Sequence, residues 1–324
     1  MAFTNRNFTP RLGQGELPDL SEYTVLTQPD FERGADTWND RMPSEYQDLL
    51  YARIVGEVSP DPTHTVIEKG DWRFLRSVQR YRNKDGMILG DQYWWNLRDK
   101  LTDSFHSDVE TIGMELVDRE ITVHEWLRRM ARVIRTAHLS HWMFGAGGYN
   151  AIDATAVVSL SSVLREQYDY LREFAREIIR KNRPDVTRQD QDALFGISLD
   201  TPTLAPRPRP RPPVVSQPDP PGRVTARGLI NRAVMYIESA TGSAEKGRAT
   251  TYGFHPDIMP NYPADGSMEC LVRCRCHWRF VFPRGQDSFY HAFWTLRGNR
   301  PDGRNCATCL RYSVIYNPYT VVRF

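Results

Sequence analysis

The sequence predicts an α+β protein: mainly an α-helical bundle, followed by a small C-terminal β module. Three observations lead there. Between residues 91 and 181 apolar side chains recur at the helical spacings of three, four and seven. A proline-rich run over 202–221 then interrupts the pattern. Beyond Gly253 the chain turns to short aromatic and β-branched runs broken by turn residues.

The first 65 residues predict an extended N-terminal arm. Pro10, Gly13, Gly15, Pro18, Pro29, Gly34 and Pro43 leave room for one short helix, near residues 44–54. Tyr23, Phe31, Trp38 and Tyr46 are costly to leave in water. Two readings therefore stand side by side, a loose terminus or an arm that docks on a neighbouring subunit. Met1–Gly15 is polar and unlike a secretory signal. No run reaches the roughly 20 apolar residues of a membrane helix. The expectation is a chain made in a cytosol, with reduced thiols and no membrane partner.

Residues 66–200 predict the helical bundle. One helix begins near Asp91 and carries Trp94, Leu97, Leu101, Phe105, Ile112 and Leu116 on a face. A second opens with Thr122 and Glu125 in capping-box spacing, so that hydroxyl and carboxylate each satisfy an orphan backbone N–H. Its face is Trp126, Met130, Val133, Ala137 and His141, and Gly145, Gly147 and Gly148 predict its end. A third runs over about 159–181, with Leu164, Tyr168, Leu171, Phe174 and Ile178 inward.

Residues 201–222 are a proline-rich linker containing Pro206-Arg-Pro-Arg-Pro-Arg-Pro-Pro213, which favours an extended polyproline helix. It joins two domains or forms a long loop within one. Residues 223–324 then hold one more amphipathic helix (Leu229, Ala233, Tyr236, Ile237) and a hairpin. The strands of the hairpin are 277–282 and 288–296, with the turn Pro283-Arg-Gly-Gln-Asp287 between them.

All five cysteines of the chain lie here: Cys270, Cys274 and Cys276 before the hairpin, Cys306 and Cys309 after it. Thiolates are soft ligands, and a short Cys-x2–4-Cys spacing lets two sulfurs reach one ion from a single turn. The pattern predicts one structural zinc ion per chain in a zinc-ribbon-like module. Three cysteines compete for two places in the first turn, with Cys270 expected beside Cys274 or Cys276. His277 and His291 are weaker substitutes. Four sulfur ligands leave no open position for water, so the site is structural and the chain is not expected to be an enzyme.

Other chemistry is not written in the chain. It has no nucleophile elbow, no phosphate loop ending Gly-Lys-Ser/Thr and no His-Glu-x-x-His. Gly145 to Gly148 follow a helix and not a strand, so they make no dinucleotide fingerprint. Arg128, Arg132 and Arg135 share a helical face that reads as solvated. The formal net charge of +2 offers no general attraction for nucleic acid, so such binding needs a local patch. Arg273, Arg275, Arg279, Arg284 and Arg297 would supply one around the hairpin.

Pro263-Ala-Asp-Gly-Ser-x-x-Cys270-x-x-x-Cys274-x-Cys276-x-Trp278, with Cys306-x-x-Cys309 and Asn317-Pro318, resembles the C-terminal part of phage head morphogenesis (minor head) proteins. Tyr81 to Gly86, the helix 122–145 and Arg165 to Leu171 are similar too, and the likeness spans roughly residues 75–324. It implies a virion structural or assembly protein, present in the host cytoplasm during assembly and afterwards in the virion. Its partners would be portal or capsid proteins, or copies of itself. The resemblance implies no catalytic residue. The alternative reading is a zinc-ribbon nucleic-acid-binding protein.

Overall fold

The computed structural model describes residues 8–41, 65–66, 72–75, 80–83, 91–146, 152–182, 223–251, 254–266, 268–281, 289–297 and 305–322. The expected helix at 44–54, the proline-rich linker and Arg284 lie outside them. The described chain is mostly helical, with a small three-stranded antiparallel sheet near its C-terminus. It divides into two compact units, each assembled from segments distant in sequence.

The first unit comprises residues 1–25, 106–135 and 162–236. It takes the second half of α2 (Asp91–Val117), the first half of α3 (Val123–Ala146), most of α4 (Ala154–Asn182) and nearly all of α5 (Ala226–Glu238). The inward residues are those of the helical period. Ile112, Leu116, Trp126, Met130, Leu164, Tyr168, Leu171, Phe174, Ile178, Leu229 and Ala233 are all buried. Each helix is tied to the next. Arg129 of α3 pairs with Glu115 of α2, and the Tyr168 hydroxyl of α4 donates to Ala131 O of α3 at 3.2 Å. Arg232 of α5 pairs with Glu177 of α4. The hydroxyl half of the expected capping box is formed at the turn into α3: Glu125 N–H donates to Thr122 Oγ1 at 3.2 Å.

The N-terminal segment is held on its own chain. Phe8, Leu17, Leu20 and Tyr23 are buried, which explains why apolar side chains recur in a stretch so rich in proline and glycine. Arg11 bridges Thr122 and accepts from Val123 N–H at 2.8 Å. The His124 ring closes the contact. Its Nδ1 accepts from Gly13 N–H at 2.9 Å, and its Nε2–H donates to Gly15 O at 3.0 Å. A carbonyl only accepts, so Nε2 is the nitrogen that carries the donated proton. A side chain on Gly13 would fall 2.3 Å from that ring, which is why the position takes glycine.

The second unit comprises residues 26–105, 136–161 and 237–324. Gln28–Arg41 forms α1, where the sequence suggests extended chain. Residues 65–83 form a small antiparallel sheet, β1 (Thr65–Val66), β2 (Trp72–Leu75) and β3 (Arg80–Asn83), in a stretch expected to be helical. The alternation Trp-Arg-Phe against Arg-Tyr-Arg has the period of two that a strand requires. Phe31, Leu139, Trp142, Met143, Ala146, Ala156 and Leu160 form one core here. α3 does not stop before Gly145 but runs through it to Ala146. There it meets a helix that sequence periodicity does not reveal, α6 (Ala240–Thr251).

The C-terminal module contains β4 (His277–Val281), β5 (Phe289–Thr295), α7 (Ala307–Ile315) and β6 (Tyr319–Val322). β5 is central, antiparallel to both neighbours, and the expected hairpin is in register Trp278↔Trp294. The strand β6 and the helix α7 are additions to the sequence reading. The module's core is aromatic. Trp278 is fully buried and packs edge-on to Trp294 at 5.1 Å, beside Tyr316 at 5.5 Å. Trp294 in turn meets Tyr312 edge-on at 5.3 Å. Such pairs each contribute roughly 0.5–1.5 kcal/mol beyond area burial. Among the described residues no helix is long and apolar enough to cross a membrane.

Candidate metal centre

The first three cysteines are presented by a tight turn. Tyr262 N–H donates to Asp265 Oδ2 at 2.7 Å and Asp265 N–H to Tyr262 O at 3.2 Å, with Gly266 at φ +81° completing the bend. A 3-10 turn, Leu271–Arg273, follows, flanked by Cys270 and Cys274. Leu271 N–H donates to Met268 O at 2.8 Å and Arg273 N–H to Cys270 O at 3.0 Å. Cys276 comes directly before β4.

The last two cysteines come from a helix start, whereas the zinc-ribbon expectation places them in a second turn. Cys306 is the N-cap of α7, and its sulfur accepts from Cys309 N–H at 3.4 Å. Cys309 lies three residues on, so both sulfurs point to one side of the first turn. The exposed N–H end of the helix favours negative charge at this place. Glu269 Oε2 accepts from Ala307 N–H at 3.1 Å, joining the first turn to the helix.

Together these elements bring all five cysteines into metal-binding distance, as two overlapping groups. Cys270, Cys306 and Cys309 form one, Cys274, Cys276 and Cys309 the other, and within each group the sulfurs lie no more than 4.8 Å apart. Cys309 Sγ is 3.9 Å from Cys270 Sγ and 3.6 Å from Cys274 Sγ, and Cys306 Sγ is 3.7 Å from Cys270 Sγ. A tetrahedral ion bound at about 2.3 Å to each sulfur sets the sulfurs about 3.8 Å apart, close to these three separations. Cys276 Sγ lies 3.6 Å from Asn305 Oδ1. A sixth sulfur, Met268 Sδ, stands 3.7 Å from Cys274 Sγ and 3.6 Å from Cys309 Sγ.

The thiols share their protons unequally. S–H donation from Cys274, then from Cys309, pulls Cys270 down to about 3 and Cys276 down to about 4. The donors are pushed upward, Cys274 and Cys309 each chiefly by its bond to Cys270.

Neither histidine considered from sequence joins either group. His277 is buried, with its ring 4.0 Å from that of Trp95. Burial, then the arginines Arg248 and Arg98, hold it down to about 2. His291 bonds the Thr320 hydroxyl at 3.0 Å. The arginines of the expected basic patch are partly committed elsewhere. Arg275 and Arg297 both pair with Asp99 of α2, at 3.0 and 3.3 Å. Arg279 lies over the Phe293 ring at 4.3 Å, and Arg273 is exposed. Beside them is a buried ion pair, Arg98 with Glu245 at 3.1 Å. Glu245 also accepts from Trp278 N–H at 3.4 Å, fastening β4 to α6.

Sequence spacing missed Met268, because a thioether two residues before a cysteine carries no motif. Compared with protein-family models, with curated proteins and with solved structures, the chain gives no match.

Proposed function

We propose that this chain is a structural or assembly protein of a phage virion, of the minor-head type, whose C-terminal module is stapled by one zinc ion on Cys270, Cys274, Cys306 and Cys309. The observation that carries the zinc reading is a run of three contacts, Cys306–Cys270 at 3.7 Å, Cys270–Cys309 at 3.9 Å and Cys309–Cys274 at 3.6 Å, in which Cys270, Cys306 and Cys309 form one group and Cys274 joins it through Cys309. Cys276, turned to Asn305, is the thiol left over. With four protein ligands the ion has no position for water or substrate, so its role is to fix the loop 268–276 against α7. The aromatic core of the hairpin means the metal stabilises this contact more than it creates the module's fold. The assembly reading draws on the resemblance of the cysteine region to phage head morphogenesis proteins. It is preferred to nucleic-acid binding because Arg275 and Arg297 are engaged by Asp99.

Elemental analysis of the purified chain, with thiol titration before and after chelation, tests the site. The expected result is one zinc per chain and four thiols released by the chelator. Cys276→Ser keeps the zinc. Cys306→Ser loses it, although serine still caps α7, so the loss reports on the ligand and not on the helix. Five freely reactive thiols and no metal would defeat the zinc reading. DNA binding that weakens steeply with salt would favour the nucleic-acid alternative.

A further inference from the structure

We propose that the sulfur cluster holds a second site, for a soft monovalent cation of the copper(I) class, formed by Cys276 and the Met268 thioether around Cys274 and Cys309. The inference rests on the zinc reading above, which uses four of six clustered sulfurs. The two cysteine groups share a single atom, Cys309 Sγ, so the cluster has two lobes. The second lobe holds Cys274, Cys276 and Cys309 within 4.8 Å of one another, and all three are buried. Met268 Sδ sits against two of them, at 3.7 and 3.6 Å, and its side chain is 2 % exposed.

A thioether is neutral and soft. It adds little to a zinc site, whereas thiolate with thioether is the donor set that selects copper(I). A thiolate bound to one ion keeps lone pairs to bridge a second, and Cys309 is the sulfur that the two groups share. On binding, the Cys276 thiolate donates a lone pair to form a sulfur–copper bond and no bond is broken. Copper stays in the +1 state, so no oxidant is involved and the cluster gains one positive charge. A methionine placed only to fill the core would serve equally well as leucine, and this separates the two roles.

The full-length zinc-loaded chain is titrated anaerobically with copper(I) buffered by a competing chelator, then desalted, and both metals are counted. The expected result is one copper per chain with zinc still at one. Met268→Leu and Cys276→Ser each keep one zinc, which shows that they fold, and bind copper at least about tenfold more weakly. Copper that enters only as zinc leaves would overturn the proposal. So would variants that hold copper as tightly as the parent chain. The zinc count before copper is added reports on the zinc reading by itself: less than one zinc there overturns that reading and this one with it.

Discussion

A methyl group added at Gly145 would lie 1.8 Å from Ala244 O, and one added at Gly247 would lie 2.3 Å from Trp142 O. α3 and α6 therefore touch backbone to backbone, and neither carbonyl can move aside without its helix. Gly145→Ala is expected to destabilise the chain by more than about 3 kcal/mol, beyond the usual cost of overpacking. Gly113→Ala is the control. Its methyl meets Ile230 Cγ1 at 3.1 Å, a side chain able to shift, and alanine gains about 1 kcal/mol of helix propensity. That variant should stay within about 1 kcal/mol of the parent. Urea unfolding midpoints measure both, and equal costs at the two positions would refute the backbone contact. From sequence the run Gly145 to Gly148 reads as a helix stop. Local pattern cannot distinguish a glycine that ends a helix from one that admits a neighbour, because the neighbour is about a hundred residues away.

Among elements, α2, β4 and α6 are held in register by charge. Arg98 has no exposed surface, and it reaches Glu245 at 3.1 Å and Asp99 at 3.2 Å. Burial pushes the Glu245 carboxyl upward, against the pull of Arg98 and Arg248. A buried pair of this kind adds little net stability, but removal of one partner leaves a charge without compensation. Arg98→Met is expected to cost about 3–5 kcal/mol. The double variant Arg98→Met/Glu245→Gln should recover part of that loss, because the stranded carboxylate is gone. Strictly additive costs in thermal unfolding would show that the pair is not coupled. The helix carrying Arg98 is legible from its apolar period. The burial of Arg98 is not, because nothing near it in sequence names Glu245.

For the molecule as a whole, acid is the informative stress. His138 is buried, its Nδ1 2.8 Å from Ser243 Oγ and its Nε2 3.3 Å from Ser239 Oγ. Burial, then repulsion from His141 and Lys246, lowers it from 6.5 to about 3. The unfolded chain therefore takes up this proton first. Stability is complete above pH 6.5, falls as pH drops, and the loss saturates below about 3. The slope in that window is on the order of 1 kcal/mol per pH unit. Glu245 acts in the opposite sense, since its raised carboxyl binds a proton more readily in the folded chain. The His138 share is isolated by difference: His138→Gln should flatten the fall between pH 6 and 4, measured by denaturant unfolding. An unchanged slope would mean that the imidazole is not held neutral in the core.

The sequence by itself determined four helices with most of their described apolar faces, the threonine cap of α3, the β4–β5 hairpin and the two short cysteine spacings on either side of it. All of these depend on periodicity or on spacings of a few residues, which act within a single element. Tertiary structure alone decided that α1 and α6 are helices, that Cys306 begins one, that Cys276 turns to Asn305, and that Arg275 and Arg297 turn to Asp99. α6, Ala240–Thr251, has small residues and no apolar period. Close packing against α3 favours it as a helix, and that partner lies far away along the chain.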